Sequence, residues 1–134
     1  MMFEQELYNY IKENFKVEGF NLTVGFGEVP EKTKAPYIVM FPLNNDGTRQ
    51  VLCDNDDYTD GRTSIQFNIY DVDYSNACYI GRQLDIFLAK IDLLPSYRVL
   101  LNNSEVIRGF NSINNGLTLE TVTRLFTYHK KGEN

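Results

Sequence analysis

Asp54, Asp56, Asp57 and Asp60 place four carboxylates within seven residues, the densest local group of ligating side chains in the chain. Carboxylates at alternate positions can converge on calcium, in a loop that also needs glycine at its sixth position and a bidentate glutamate at its twelfth. Asp54-x-Asp56 opens such a loop, but Tyr58 and Thr59 stand where an Asp or Asn and the glycine would follow. A start at Asp56 brings Gly61 to the sixth position and Phe67, which cannot ligate, to the twelfth. The run therefore reads as a solvated loop, with opportunistic cation binding as its functional alternative. It offers paired acids for hydrolysis but no apolar wall to raise the pKa of one of them. Asp71 and Asp73 flank a strand-to-helix turn, where capping is explanation enough.

Other chemistries find less support. The single histidine, His129, lies five residues from the end of the sequence and reads as a strand-end surface residue. A histidine base needs a nucleophile and an orienting partner, and neither Cys53 nor Cys78 carries a local signature of one. One His and two Cys, scattered, do not make a structural zinc site. The cysteines leave two states open, free thiols in a reducing compartment or a disulfide. Gly25-Phe-Gly27 resembles the start of a phosphate loop, but Pro30 occupies the third glycine position and no helix is expected to follow. The expectation is a protein without catalytic residues, metal or cofactor.

The elements that would position these residues follow from periodicity. In Thr63 to Tyr70, Ile65, Phe67 and Ile69 alternate with Ser64, Gln66 and Asn68, a strand with one buried face. Past Asp71-Val-Asp73, the residues Ala77, Ile80, Leu84, Phe87, Leu88 and Ile91 fall at helical spacing. Asp73 or Ser75 can cap that helix, and Pro95 prevents its continuation. A first helix is expected from Phe3, Leu7, Tyr10, Ile11 and Phe15, with Glu4 and Glu6 at its positive end and Gly19 as its stop. Strands are expected over Phe20–Phe26, Tyr37–Phe41, Tyr97–Asn102, Glu105–Ile113 and Leu117–His129. The last of these changes phase between Leu119 and Val122, which predicts a bulge or a twist there.

Residues 44–62 are polar and turn-rich and read as an exposed arm, and residues 130–134 as a frayed tail. Helix, strands, helix, strands, with short connections, predicts one α+β domain. Its sheet should be mainly antiparallel, with both amphipathic helices packed on one face.

At 134 residues the chain is the size of one domain, and nine Phe and nine Tyr supply material for a core. A net charge of -5 opposes affinity for nucleic-acid phosphates. The start, Met-Met-Phe-Glu-Gln-Glu, lacks the pattern of a signal peptide, and no apolar run approaches membrane-spanning length. A soluble protein, made and used without export, is expected.

The order and texture of these segments resemble the tail-terminator (tail-completion, head-to-tail joining) proteins of long-tailed bacteriophages. The resemblance spans nearly the whole chain and rests on several pieces. They are the helix Phe3–Phe15, the strand entered through Ala35-Pro-Tyr-Ile-Val-Met-Phe-Pro42, the polar arm, the strand Ile65–Tyr70 leading into Ala77, Ile80 and Leu84, and the closing strands. It implies a structural virion protein at the head–tail interface, present in host cytoplasm during assembly. Its partners would be further copies of itself in a ring, commonly a hexamer, together with the tail tube protein and a head-completion or connector protein. DNA would pass through the lumen without specific binding, and no membrane would be involved. The family supplies no catalytic residues and no residue-level contact motif. The arm is aromatic and charged enough to touch a neighbour, so Arg49, Asp54, Asp56, Asp57, Tyr58, Asp60 and Arg62 are the candidate subunit-interface residues. Another phage neck or minor capsid connector, and a small-molecule-binding α+β domain, are the alternatives.

Overall fold

A computed structural model of the chain describes residues 2–43, 60–105 and 116–131. Residues 44–59 of the expected arm 44–62, and all but the first residue of the expected strand Glu105–Ile113, lie outside them. So do residues 132–134 of the expected tail.

The first helix, α1, spans Phe3–Asn14. Phe3, Leu7 and Ile11 recur every four residues, and all three are buried. The helix ends five residues before the expected stop at Gly19. Phe15 turns extended, and its N–H bonds the Ile11 carbonyl at 2.8 Å. Phe15 and Val17 remain buried beyond the helix, so hydrophobic packing outlasts the helical backbone.

Five strands form one sheet: β1 (Thr23–Phe26), β2 (Tyr37–Leu43), β3 (Asp60–Asp71), β4 (Tyr97–Glu105) and β5 (Thr118–Lys130). Their spatial order is β1-β2-β3-β5-β4, with every neighbouring pair antiparallel except β1 and β2. The fold is α+β, as expected. The one parallel pair arises because residues 27–36 carry the chain back before β2 begins. Gly27, at φ 80, makes the turn out of β1 and donates its N–H to the Met40 carbonyl at 2.8 Å. Residues 25–27 are thus a strand end and a turn with no helix behind them, which removes the phosphate-loop reading.

The second helix, α2, spans Tyr74–Ala89. The Asp73 carboxylate accepts the Ser75 N–H at 2.9 Å, so Asp73 is the N-cap. Pro95 is not what stops the helix. Asn102 on β4 donates its side-chain amide to the carbonyls of Leu88 at 2.6 Å and Ile91 at 3.4 Å, taking up acceptors that a helix end leaves over.

Directly paired residues of antiparallel strands point to the same side of a sheet. The register Ile38↔Ile69, Met40↔Phe67 and Thr63↔Phe126 therefore sets one apolar face. Both helices lie on it, with Phe3, Leu7 and Ile11 of α1 and Ala77, Ile80, Leu84 and Leu88 of α2 in the same buried cluster. Each large apolar side chain buried there contributes about 1.5–3 kcal/mol relative to exposure. Phe3 stacks on Tyr128 with ring centroids 4.2 Å apart and meets Tyr97 edge-on at 5.5 Å.

Strand β5 holds no bulge against β3, and the two pair without interruption from Asp60↔His129 to Asp71↔Thr118. The change of phase in its sequence arises because Glu120 and Arg124 share the helix-covered face with Val122, Phe126 and Tyr128. The irregularity lies in β4, between Val99 and Leu101. The two edges of the sheet differ. β1 has four residues, and the Tyr8 hydroxyl donates to its Val24 carbonyl at 3.2 Å. β4 has nine residues, with Leu100 at 53% and Leu101 at 51% exposure.

Candidate functional site

The face of the sheet away from both helices is built from the other register of the same strands. β3 contributes Arg62, Ser64, Gln66, Asn68 and Tyr70. β5 contributes Leu119, Thr121, Thr123, Leu125, Thr127 and His129 beside them, and β2 contributes Tyr37, Val39, Phe41 and Leu43. The alternation in β3 predicts a solvent face here. Ser64 and Asn68 are instead buried, as are Val39 and Thr123. β3 is the middle strand, flanked on both sides along most of its length, so its small polar side chains sit between larger neighbours.

Their polar atoms are mostly paired. The Gln66 amide donates to Asn68 Oδ1 at 2.9 Å, and the Thr121 hydroxyl donates to the same oxygen at 3.2 Å. Thr123 Oγ1 is buried without a hydrogen-bond partner among the described residues. Tyr37 and Tyr70 stack at 5.0 Å, and burial, then the neighbouring Tyr70, push the Tyr37 phenol above its ordinary pKa. Hydroxyls, amides and half-buried apolar groups of this kind suit contact with another surface.

Of the sequence-predicted site residues, Arg49, Asp54, Asp56, Asp57 and Tyr58 lie outside the described residues. Asp60 and Arg62 belong to β3, which begins three residues before the strand that the sequence suggests. Asp60 is in register with His129, and Arg62, exposed, with Thr127. Arg62 thus lies on the helix-free face, at the end where the arm joins β3. His129 stands between Asp60 and Arg98 in the ladder, half-buried.

Three arrangements draw on residues that sequence reasoning gave no functional role. Arg124, 5% exposed, donates from Nε to Asn102 Oδ1 and from a terminal nitrogen to Asp85 of α2 at 2.7 Å. Tyr74 donates its hydroxyl to Glu120 at 3.5 Å. A hydrogen bond with Cys78, together with burial and the Glu120 charge, pushes the Tyr74 phenol up from 10.0 to about 12. Cys78 is a free cysteine.

The third arrangement is a cavity of about 280 Å³ beside α1, lined by Glu6, Asn9, Tyr10, Glu13 and Pro95. Glu6 and Glu13 are two helical turns apart on one side of α1, with Asn9 and Tyr10 between them. That spacing is a sequence signal that could have marked the site. Among the described residues, no three His, Cys, Asp or Glu side chains gather as metal ligands, and no helix is long and apolar enough to cross a membrane.

No family model matches the sequence, and no curated protein matches it. Among solved structures, one whose name describes no function superposes with a TM-score of 0.50 at 17% identity, covering 98% of this chain and 92% of that one. A likeness at that identity speaks to the fold alone.

Proposed function

We propose that this chain is a structural virion protein, a tail terminator whose copies form a ring that caps the tail tube and joins it to the head. The helix-free face of the sheet carries this reading. It presents hydrogen-bonding and apolar groups together, with Arg62 exposed at its margin, and it is suited to bind another protein surface. The order of elements, with a strand feeding directly into a capped helix, is compatible with the resemblance set out above. In this role the protein works by geometry, with no bond made or broken. The test is electron microscopy of the purified protein, alone and mixed with tail tubes. Rings of tube diameter at tube ends are the expected result, and tubes left bare at saturating protein would overturn the reading.

The cavity beside α1 is the one observation that favours a small-molecule-binding domain instead. Its volume of about 280 Å³ falls just below the range of about 300–1,000 Å³ typical of small-molecule sites. It is better sized for a single side chain than for a metabolite, so the assembly reading is preferred.

A further inference from the structure

We propose that the outward face of α2 is the docking surface for residues 44–59 of a neighbouring copy of this chain. The inference rests on the ring reading and deepens it, by naming the surface that receives the arm. Tyr79, Arg82, Ile86 and the C-cap Lys90 follow one another at three- or four-residue steps, on the side of α2 away from buried Ala77, Ile80, Leu84 and Leu88. A helix face turned to water ordinarily carries polar groups. Here Tyr79 is 51% and Ile86 46% exposed, and half-buried Phe20 extends the apolar surface, its ring 6.3 Å from that of Tyr79. Arg82 and Lys90 are exposed, and neither has an ion-pair partner among the described residues. The one acid of α2, Asp85, is engaged with Arg124 of the sheet. The face therefore joins two apolar side chains to two unpaired positive charges, in a chain whose net charge is -5.

Charge and reach select the occupant. Residues 44–59 hold four acids, Asp46, Asp54, Asp56 and Asp57, against one base, Arg49. Val51, Leu52 and Tyr58 give the same segment apolar groups to set against Tyr79 and Ile86. The segment leaves β2 at Leu43 and rejoins the sheet at Asp60 of β3, so its two ends belong to neighbouring strands. Sixteen residues running out and back reach about 27 Å at full extension. The stripe from Tyr79 to Lys90 is only about 16 Å long. Contact between the arm of one copy and α2 of the next joins unlike surfaces, so it repeats from subunit to subunit as a ring requires.

The test is analytical ultracentrifugation of the full chain over a range of concentrations. It uses no tail tube, so its failure and that of the terminator reading are read separately. The native chain should gain mass with concentration. Arg82→Glu together with Lys90→Glu, both at exposed positions, should weaken that association about tenfold or more by setting like charges against each other. Asp54→Lys, Asp56→Lys and Asp57→Lys together should weaken it as much, and both sets combined in one chain should restore it. Circular dichroism checks that each variant keeps its fold. A native chain that stays monomeric, the result if each arm lies on its own α2, would overturn the proposal. So would reversed helix charges that leave association unchanged, or a combined variant that does not recover.

Discussion

Arg124 reaches Asp85 across 2.7 Å from a position on β5 that is 5% exposed, tying the sheet to α2 by an ion pair. The pair is unequal, because the Asp85 side chain keeps 39% of its surface in water while the guanidinium has almost none. Removing the acid strands a buried cation. Removing the base leaves an acid that water can still solvate.

Asp85→Ala is accordingly expected to cost roughly 2–4 kcal/mol, somewhat below the range for breaking a fully buried pair. Arg124→Met, which fills similar space without charge, should cost less. Urea denaturation of both variants checks the order, and a larger loss for Arg124→Met would refute this account of the pair.

Asn102 joins the same network to the end of α2 by donating to the Leu88 and Ile91 carbonyls. Asn102→Ala should cost about 1–3 kcal/mol, the range for leaving buried polar groups unpaired. Hydrogen exchange should accelerate first at the amides of Lys90 and Ile91, which close the helix end. Uniform acceleration over the whole chain would speak against a local clamp.

The Tyr74 phenol, pushed up from 10.0 to about 12 chiefly by its hydrogen bond with Cys78, ties stability to alkaline pH. Folding favours the protonated phenol. Its contribution is therefore complete below pH 10 and is lost as pH rises toward about 12. Phenolate absorbance against pH, compared between the native chain and Tyr74→Phe, should show one late-ionising tyrosine. Cys78→Ala should bring that ionisation down, and an unshifted curve would exclude the thiol as the cause.

Replacing residues 46–59 with a short Gly-Ser linker is expected to abolish ring assembly on tail tubes and to leave the monomer folded. The β2–β3 ladder from Tyr37↔Tyr70 to Leu43↔Ser64 and the cluster of Phe3, Leu7, Ile11, Ile80 and Leu84 under the helices are kept in such a variant. Circular dichroism checks the fold and electron microscopy the assembly. Rings forming as before would remove the arm from the interface.

Much of this fold is legible in the sequence because its clearest signals are periodic. Phe3, Leu7 and Ile11 announce α1, Ile65, Phe67 and Ile69 announce β3, and Asp73 caps α2 in the expected place. The misreadings share a cause. Glu120 and Arg124 look like the polar side of a strand, but they lie beneath α2, where Asp85 and Asn102 make room for the guanidinium. Such pairing across 39 residues leaves no local trace. The polar row of β3 reads as wet because alternation reports chemistry, whereas burial depends on a central place in the sheet. The parallel β1–β2 pair likewise depends on the path of a loop. Of the candidate site, only Asp60 and Arg62 could be placed, while Glu6 and Pro95 looked sufficiently explained as a dipole partner and a helix stop.

The unlike edges of the sheet have a consequence of their own. A short strand crossed by a tyrosine hydroxyl and a long strand carrying two exposed leucines cannot serve as copies of one another. Like-on-like contact between subunits stops at a pair, whereas contact between unlike surfaces repeats, circling an axis or winding along it. Any association that joins β4 of one molecule to the β1 side of the next would therefore have a polarity. Each subunit added would offer the same free end as the one before, until the first molecule met the last.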